Sequence, residues 1–496
     1  MRYQLQREFT QLPISRIPDF LAISSWRFSI AEMHLNQSAS PLAYCIQTFQ
    51  SALDQLQVRC RPEQLESWIL GIFYAMSARS RNFHQLDHVL DVGRGLQPLQ
   101  IIAALYHDIV YLQVDQEFTP FVQERIKDVL EIRENRFYLR SEAPDPKVRL
   151  VREVFEFSPG QEVSVFGGMN EFLSSVVAIH NLGAYLTDTQ VAAIAACIRA
   201  TVPFQGPDAS GKTFPMRIGS AIERISQRGK WGLSSATIDD LVREAVEVGN
   251  ADVANFGNED LSVFLDNTWK LLPEANPSLF SVGAYTIKSY RTSMQKMEGF
   301  MSQLNPEYVF HEYGGHPDEQ TFVSMKKAAA NNIKQAVEYL RAKLVSIAVL
   351  EGIAELTGGD APVVLLAGAS KEDAPSAMQI QDFLKEPRSY RLDRFSGINE
   401  AVYHVLNAGR NSATHFDSKA SPLAAFIYAV LGREALPGCF DSARRAFKSE
   451  VSWMQFLQSF PGSLMKEVVE AVATISVVRK DRCLQLAKQL CGTRCQ

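Results

Sequence analysis

Histidines and aspartates recur in this chain at spacings that suit a metal centre. His84 and His88 stand four apart in Arg81-Asn-Phe-His84-Gln-Leu-Asp-His88, a spacing that turns both imidazoles to one face of a helix. Nineteen residues after His88, the apolar stretch Ala103-Ala-Leu-Tyr-His107-Asp108 ends on a His–Asp pair. Neighbouring helix residues differ in direction by about 100°. Both side chains could therefore serve one metal tucked beside the helix end, or two adjacent metals. Asp252 follows an apolar helical face in Gly249-Asn-Ala-Asp252-Val-Ala-Asn255. A carboxylate buried there needs a partner. A metal is one; a helix cap or an arginine is the plainer one. Each piece alone is ordinarily structural. Together, three of the chain's nine histidines fall between 84 and 107, on apolar helical segments, in the order His…His…His-Asp…Asp. That combination points to a metal centre built from His84, His88, His107, Asp108 and Asp252. Imidazole and carboxylate donors suit divalent ions, and the expected cofactor is one or two of Mn, Mg, Ni, Co, Zn or Fe.

The elements that must carry these residues read as helices. Leu65, Trp68, Ile69, Ile72 and Phe73 follow one helical face, as do Leu90, Ile101, Ile102 and Leu105. Val191–Ala200 is apolar nearly all round and predicts a buried central helix. Thr237-Ile-Asp-Asp240 resembles a capping box opening a helix toward Val248. Val363-Val-Leu-Leu-Ala367 is the best strand candidate. Residues 141–147, 203–215 and 357–376 are rich in Pro, Gly and Asp and read as loops. Asn305-Pro306 and Gly314-Gly315-His316-Pro317 break periodicity, which sets a candidate domain boundary near 305–325. The expected fold is all-α: an N-terminal helical extension over 1–60, a catalytic core over 60–300, and a C-terminal helical region over 320–496. Glu319 to Leu356 reads as largely helical.

Composition narrows the function classes. Fifty basic and 55 acidic side chains leave a formal charge of -5, which argues against a broad nucleic-acid footprint. Seven cysteines without regular spacing do not form a disulfide framework. They read as free thiols, Cys491 and Cys495 included, and a reducing cytoplasm is the expected compartment. The first residues lack the apolar core of a signal peptide. No run of 18 apolar residues occurs, so no transmembrane helix and no membrane partner is expected.

The local wording resembles the HD superfamily of metal-dependent phosphohydrolases. Phe83-His84-Gln-Leu-Asp-His88 is similar to the aromatic-His-x-x-x-His motif of its small bacterial and cyclic-nucleotide phosphodiesterase branches. Ala104-Leu-Tyr-His107-Asp108-Ile-Val-Tyr111 is close to the small bacterial branch. Asn170-Glu171-Phe-Leu-Ser174-Ser175 resembles that branch's Asn-Glu-x-x-Ser-Ala, and Ile198-Arg-Ala-Thr201 its next helix end. Asn250-Ala-Asp252-Val-Ala-Asn255 is similar to the final metal-binding motif. The resemblance covers roughly residues 60–260 and implies His88, His107, Asp108 and Asp252 as metal ligands. It further implies His84 as general acid, Asp108 as a bridge to a second metal, Glu171 as holder or base of a water, and Arg81 as a phosphate contact. Asp252 lies 144 residues after Asp108, farther than in small HD proteins, so an insertion is implied. The chemistry implied is hydrolysis of a phosphoester of a nucleotide or other small phosphorylated molecule by metal-bound hydroxide. Elementary chemistry agrees: a bound divalent metal brings the pKa of its water toward ~7, a guanidinium matches phosphate oxygens, and an imidazole holds and gives a proton near neutrality.

Other signals weigh less. Gly206-Pro-Asp-Ala-Ser-Gly211-Lys212-Thr213 fits a phosphate-loop pattern, but that loop needs a strand before it, and a helical segment precedes. It reads as a loop near the cleft, with Lys212 within reach of substrate. His311, Glu312 and His316 read as a solvated turn. His180 is either a core histidine or a group behind the ligands, and His34, His404 and His415 read as structural. Two other classes stay open: a non-catalytic HD scaffold whose C-terminal helices bind a protein partner or a second copy, and a di-iron oxygenase with the same ligands.

Overall fold

The computed structural model describes residues 40–142, 145–280, 285–368, 376–385, 397–414 and 416–491. The chain divides into two compact units, Met1–Tyr44 and Cys45–Gln496. Of the first, residues 40–44 alone are described, and they begin helix α1 (Pro41–Gln55). Residues 1–39 of the expected N-terminal extension, His34 among them, lie outside the described residues, as do His415 and Cys495. No helix among the described residues is long and apolar enough to cross a membrane, and their cysteines are free.

The expected all-α class holds: helices dominate, with one small sheet. The first half is a bundle of α2 (Pro62–Met76), α3 (Leu86–Val92), α4 (Pro98–Tyr106), α5 (Met169–Leu182), α6 (Asp188–Ala200), α7 (Phe214–Gly229) and α8 (Ser235–Asp252). Helix α6 is the central one. Val191 through Ala200 are all buried, and α4, α5 and α8 pack around it. Thr187 opens it with a capping box to Gln190. Helix α8 starts at Ser235, with Ser234 as cap, so Thr237 sits inside the first turn rather than opening the helix. The Ser234 hydroxyl accepts the Thr237 amide at 3.1 Å and takes the capping role three residues earlier. Near its other end, α8 crosses α6 so closely that a Cβ on Gly249 would stand 2.5 Å from the Ala200 carbonyl. Only glycine permits that approach, which brings Asp252 to the end of the bundle.

The strand reading at 363–367 is corrected. Val364–Ala367 is a single helical turn with Leu366 buried, closed by Gly368 at φ 87°. The sheet lies elsewhere. Strands β1 (Leu130–Arg133), β2 (Arg136–Leu139) and β3 (Glu162–Val163) form an antiparallel ribbon in that order. Leu130 pairs with Leu139 and Arg133 with Arg136. Glu134 and Asn135, at φ 48° and 60°, make the two-residue turn whose twist suits a hairpin.

The second half does not begin near 305–325. Helices α9 (Leu261–Ala275) and α10 (Ile287–Gln303) share one hydrophobic core with α11 (Glu319–Thr357), α12 (Pro422–Leu431), α13 (Leu436–Phe447), α14 (Gly462–Ile475) and α15 (Lys480–Cys491). The packing changes partners between α8 and α9, and residues 45–496 remain one compact unit. Helix α11 runs 39 residues, and most residues of its second half are buried on all sides, as expected of a helix at the centre of a core.

That core holds a charged knot. Asp417 Oδ2 accepts from Trp269 Nε1 at 2.8 Å, Tyr290 Oη at 2.7 Å and Lys343 Nζ at 2.9 Å. Lys343 and Arg410 lie over the Trp269 ring at 4.6 and 4.5 Å. Asp266 on the same helix as Trp269 accepts from Ser412 Oγ at 2.7 Å.

Candidate metal centre

Four side chains from three elements converge at the end of the bundle. His88 projects from α3. His107 caps the C-terminus of α4, with Asp108 next to it. Asp252 is the last residue of α8. His88 Nε2 stands 3.0 Å from Asp252 Oδ1 and 3.5 Å from Asp108 Oδ2. His107 Nε2 stands 3.1 Å from Asp108 Oδ2 and 3.3 Å from Asp252 Oδ1. Yet His88 Nε2, His107 Nε2 and Asp108 Oδ2 are buried without a hydrogen-bond partner. Donor atoms that crowd together without bonding one another are aimed at a common point. Ligands held about 2.1 Å from one ion would be separated by about 3.0–3.4 Å, close to the 3.0–3.5 Å of these four contacts. The donor set, two imidazole nitrogens and two carboxylates, fits a divalent transition ion, and His88, His107 and Asp108 stand as a possible metal-holding group on geometry alone.

The electrostatics have the same source. Burial disfavours the His88 cation, but contacts with Asp108 and Asp252 outweigh it and push its pKa up to about 9. His107 is raised well above the ordinary value by the same two carboxylates against burial. Burial would raise Asp252, but the charge of His107 and contacts with both imidazoles bring it down to about 2. Asp108 is likewise held well below the usual range against its burial. Without a metal the four groups hold protons between them; a metal would replace those protons.

The clustered side chains are braced from behind. His107 Nδ1 lies 2.7 Å from the Ala104 carbonyl, which fixes the proton there and leaves Nε2 free to ligate. Arg81 lies beneath Asp108, and its side chain is fully buried. Its Nη1 donates to the Asp108 carbonyl at 2.7 Å, while Nε and Nη2 grip Asp115 at 3.0 and 2.6 Å. That is not the place for a phosphate contact: a guanidinium without solvent access, already forked onto a carboxylate, has no face for substrate. Asn170 and Ser174 hold the segment after Asp108. Ser174 Oγ accepts the Val110 amide at 3.1 Å, and Asn170 Oδ1 accepts that of Leu112 at 3.3 Å. Glu171, between them on α5, has a buried Oε2 with no partner. Burial, then the charges of Asp108 and Asp252, push its pKa up to about 8.

His84 departs from expectation. It is not on the helix of His88, because α3 begins at Leu86. The reason is Glu274 of α9, whose Oε1 accepts the backbone amides of Asn82, Phe83 and His84 at 2.7, 2.7 and 3.1 Å. Those amides bind a carboxylate instead of entering a helix. Glu274 Oε2 lies 2.6 Å from His84 Nδ1, and the His84 ring sits 4.1 Å from that of Tyr111 and 5.8 Å from that of His88. Burial opposes the Glu274 charge, but the charge of His84 and the donated hydrogen bonds hold its pKa below the usual range. Glu274 was missed in the sequence. The signal was present: a carboxylate at the end of the apolar run Leu271-Leu-Pro-Glu274, the pattern that singled out Asp252.

The remaining histidines stand apart. His180 is exposed, half a turn round α5 from Glu171, so it is neither a core residue nor a brace of the ligands. His404 is exposed too. Glu312 and His316 form an exposed turn closed by the Tyr313–His316 bridge. His311 is drawn inward: its backbone exchanges two hydrogen bonds with Asn250, at 2.8 and 2.9 Å, and burial pushes its pKa down to about 4. In the 206–213 loop, Asp208 Oδ1 accepts the amides of Ser210 and Lys212 at 2.8 and 3.0 Å, so those amides face a carboxylate rather than a phosphate. Lys212 Nζ lies 3.3 Å from Ser220 Oγ.

No protein-family model, curated protein or solved structure matches this chain.

Proposed function

We propose that this chain is a metal-dependent phosphohydrolase of the HD type, acting on a phosphoester of a nucleotide or another small phosphorylated molecule in the cytoplasm. The observation that carries the reading is the convergence of His88, His107, Asp108 and Asp252, the first three with unpartnered buried donors, beside a histidine paired with a carboxylate. A divalent ion held by those four residues would lower the pKa of a coordinated water and polarise phosphoryl oxygens. Around it the chain's own groups have separable roles. His84, with Nδ1 tied to Glu274, presents Nε2 as the atom that gives a proton to the leaving oxygen. Glu171, whose buried Oε2 has no protein partner, holds a water by hydrogen bond. Arg81 fixes the backbone of Asp108, and so positions a ligand rather than a substrate. His88, Asp108 and Asp252 keep 12, 14 and 16% of their side-chain surface exposed, so solvent reaches these side chains.

The test is hydrolysis of bis(p-nitrophenyl) phosphate, p-nitrophenyl phosphate and a panel of nucleotides by protein reloaded with Mn, Ni, Co, Zn or Fe. Metal-dependent release that disappears in His84→Ala while metal content persists supports the reading. Metal uptake with no hydrolysis of any phosphoester would remove it.

A further inference from the structure

With Arg81 turned inward, the substrate's phosphate needs another cation. The helices that supply the centre and its braces are α3, α4, α5, α8 and α9. They carry two Lys or Arg residues, Arg243 on α8 and Lys270 on α9. Arg243 is paired with Asp240 and lies nine residues before Asp252, on the opposite side of the helix. Lys270 is placed differently. Asn267, Lys270 and Glu274 fall within an arc of about 60° on α9, from 3.6 residues per turn. At both ends the arc contacts segments that carry residues of the centre. Glu274 holds His84, and Asn267 Nδ2 donates at 2.9 Å to Oδ1 of Asn255, three residues after Asp252. Between them, the Lys270 carbonyl accepts Asn82 Nδ2 at 2.9 Å. Lys270 is partly buried, and its ammonium meets one neutral acceptor, Asn267 Oδ1, at 3.2 Å. Among the described residues it has no carboxylate partner. Glu274, one turn on, is already occupied by His84 and three amides.

We propose that Lys270 is the substrate-binding cation of this centre, receiving a phosphate oxygen on the side between Asp252 and His84, with Asn267 steering its ammonium. This rests on the phosphohydrolase reading and extends it. The carboxylates of Asp108, Asp252 and Glu274 would otherwise present an anionic wall to an anionic substrate. An ammonium at the rim offsets that repulsion without joining the ligand set.

The test uses full-length Mn-loaded protein and inorganic phosphate as the probe, with binding followed by calorimetry beside metal content and helical circular dichroism. Loss of a charge-assisted hydrogen bond should weaken phosphate binding by about tenfold or more in Lys270→Met, with Lys270→Arg closer to wild type and metal content unchanged in both. With bis(p-nitrophenyl) phosphate, the same loss should raise KM more than it lowers kcat. Wild-type phosphate affinity in a folded, metal-loaded Lys270→Met would overturn the assignment and leave the phosphohydrolase reading intact. No phosphate binding by a wild type that still hydrolyses the diester would likewise overturn Lys270 alone. Neither binding nor hydrolysis would overturn both.

Discussion

Glu274 Oε2 lies 2.6 Å from His84 Nδ1, although the two residues are 190 positions apart. The contact links the halves of the molecule. Glu274 sits on α9, and the other face of α9, with Trp269, belongs to the C-terminal core. Glu274→Gln keeps a carbonyl for the backbone amides but loses the charge that orients the imidazole. It should lower kcat on a diester by about 10–100-fold, the usual cost of removing a group that orients a functional histidine. Metal content should stay at the wild-type level. Unchanged kcat would show that His84 needs no such support.

Arg81 gives a second separation of roles. It forks onto Asp115 and holds the Asp108 carbonyl from a fully buried position. Breaking a buried ion pair costs about 3–5 kcal/mol, so Arg81→Ala should lose stability on that scale in urea denaturation and bind metal more weakly. Activity recovered at saturating metal should show a KM near wild type. A stable variant with full metal affinity and a raised KM would restore the phosphate contact expected from the sequence.

The charged knot around Asp417 should act as a single structural unit. Asp417→Ala leaves Lys343 and Arg410 beside Trp269 without their shared carboxylate. A loss of about 3–5 kcal/mol is expected, read by chemical denaturation. A loss under about 1 kcal/mol, the level of an exposed pair, would mean that the network contributes little.

Acidity should separate metal-loaded from metal-stripped protein. In the stripped protein His88 is raised from 6.5 to about 9. Its stabilisation is then complete below pH 6.5 and is lost as pH rises through about 9. Asp252 is lowered from 3.8 to about 2, so its share is complete above pH 3.8 and is lost on falling through about 2. A bound metal needs both imidazoles neutral, and its stabilisation grows as pH rises. The gap in Tm between loaded and stripped protein should therefore widen from pH 6 to pH 9. A constant or narrowing gap would count against ligation by His88 and His107.

The cluster was legible in the chain because His107, Asp108 and Asp252 sit at helix ends, where apolar periodicity stops. His107, Asp108 and Asp252 each close an apolar run, and the structure brings them to one point. The buried α6 and the long α11 were legible for the same reason. What escaped was tertiary. The placement of His84 off the helix depends on a carboxylate that captures three amides from a distant helix. The fate of Arg81 depends on Asp115, 34 residues away, which no local pattern marks. The sheet hid in two four-residue strands joined by a Glu-Asn turn, while the apolar run at 363–367 was too short and too tightly bounded by Pro362 and Gly368 to extend. The packing changes partners at the start of α9 rather than at 305–325, because the residues of α9 and α10 bury against helices far ahead in the chain.

The most direct measurement is the metal content of purified full-length protein by mass spectrometry, before and after reconstitution, beside Asp252→Asn and His107→Ala variants of verified fold. One or two equivalents of Mn, Ni, Co, Zn or Fe in the wild type, lost or strongly reduced in both variants, is the expected result. Metal at the same level in the variants, or none in any of the three after reconstitution, would contradict the four-residue centre.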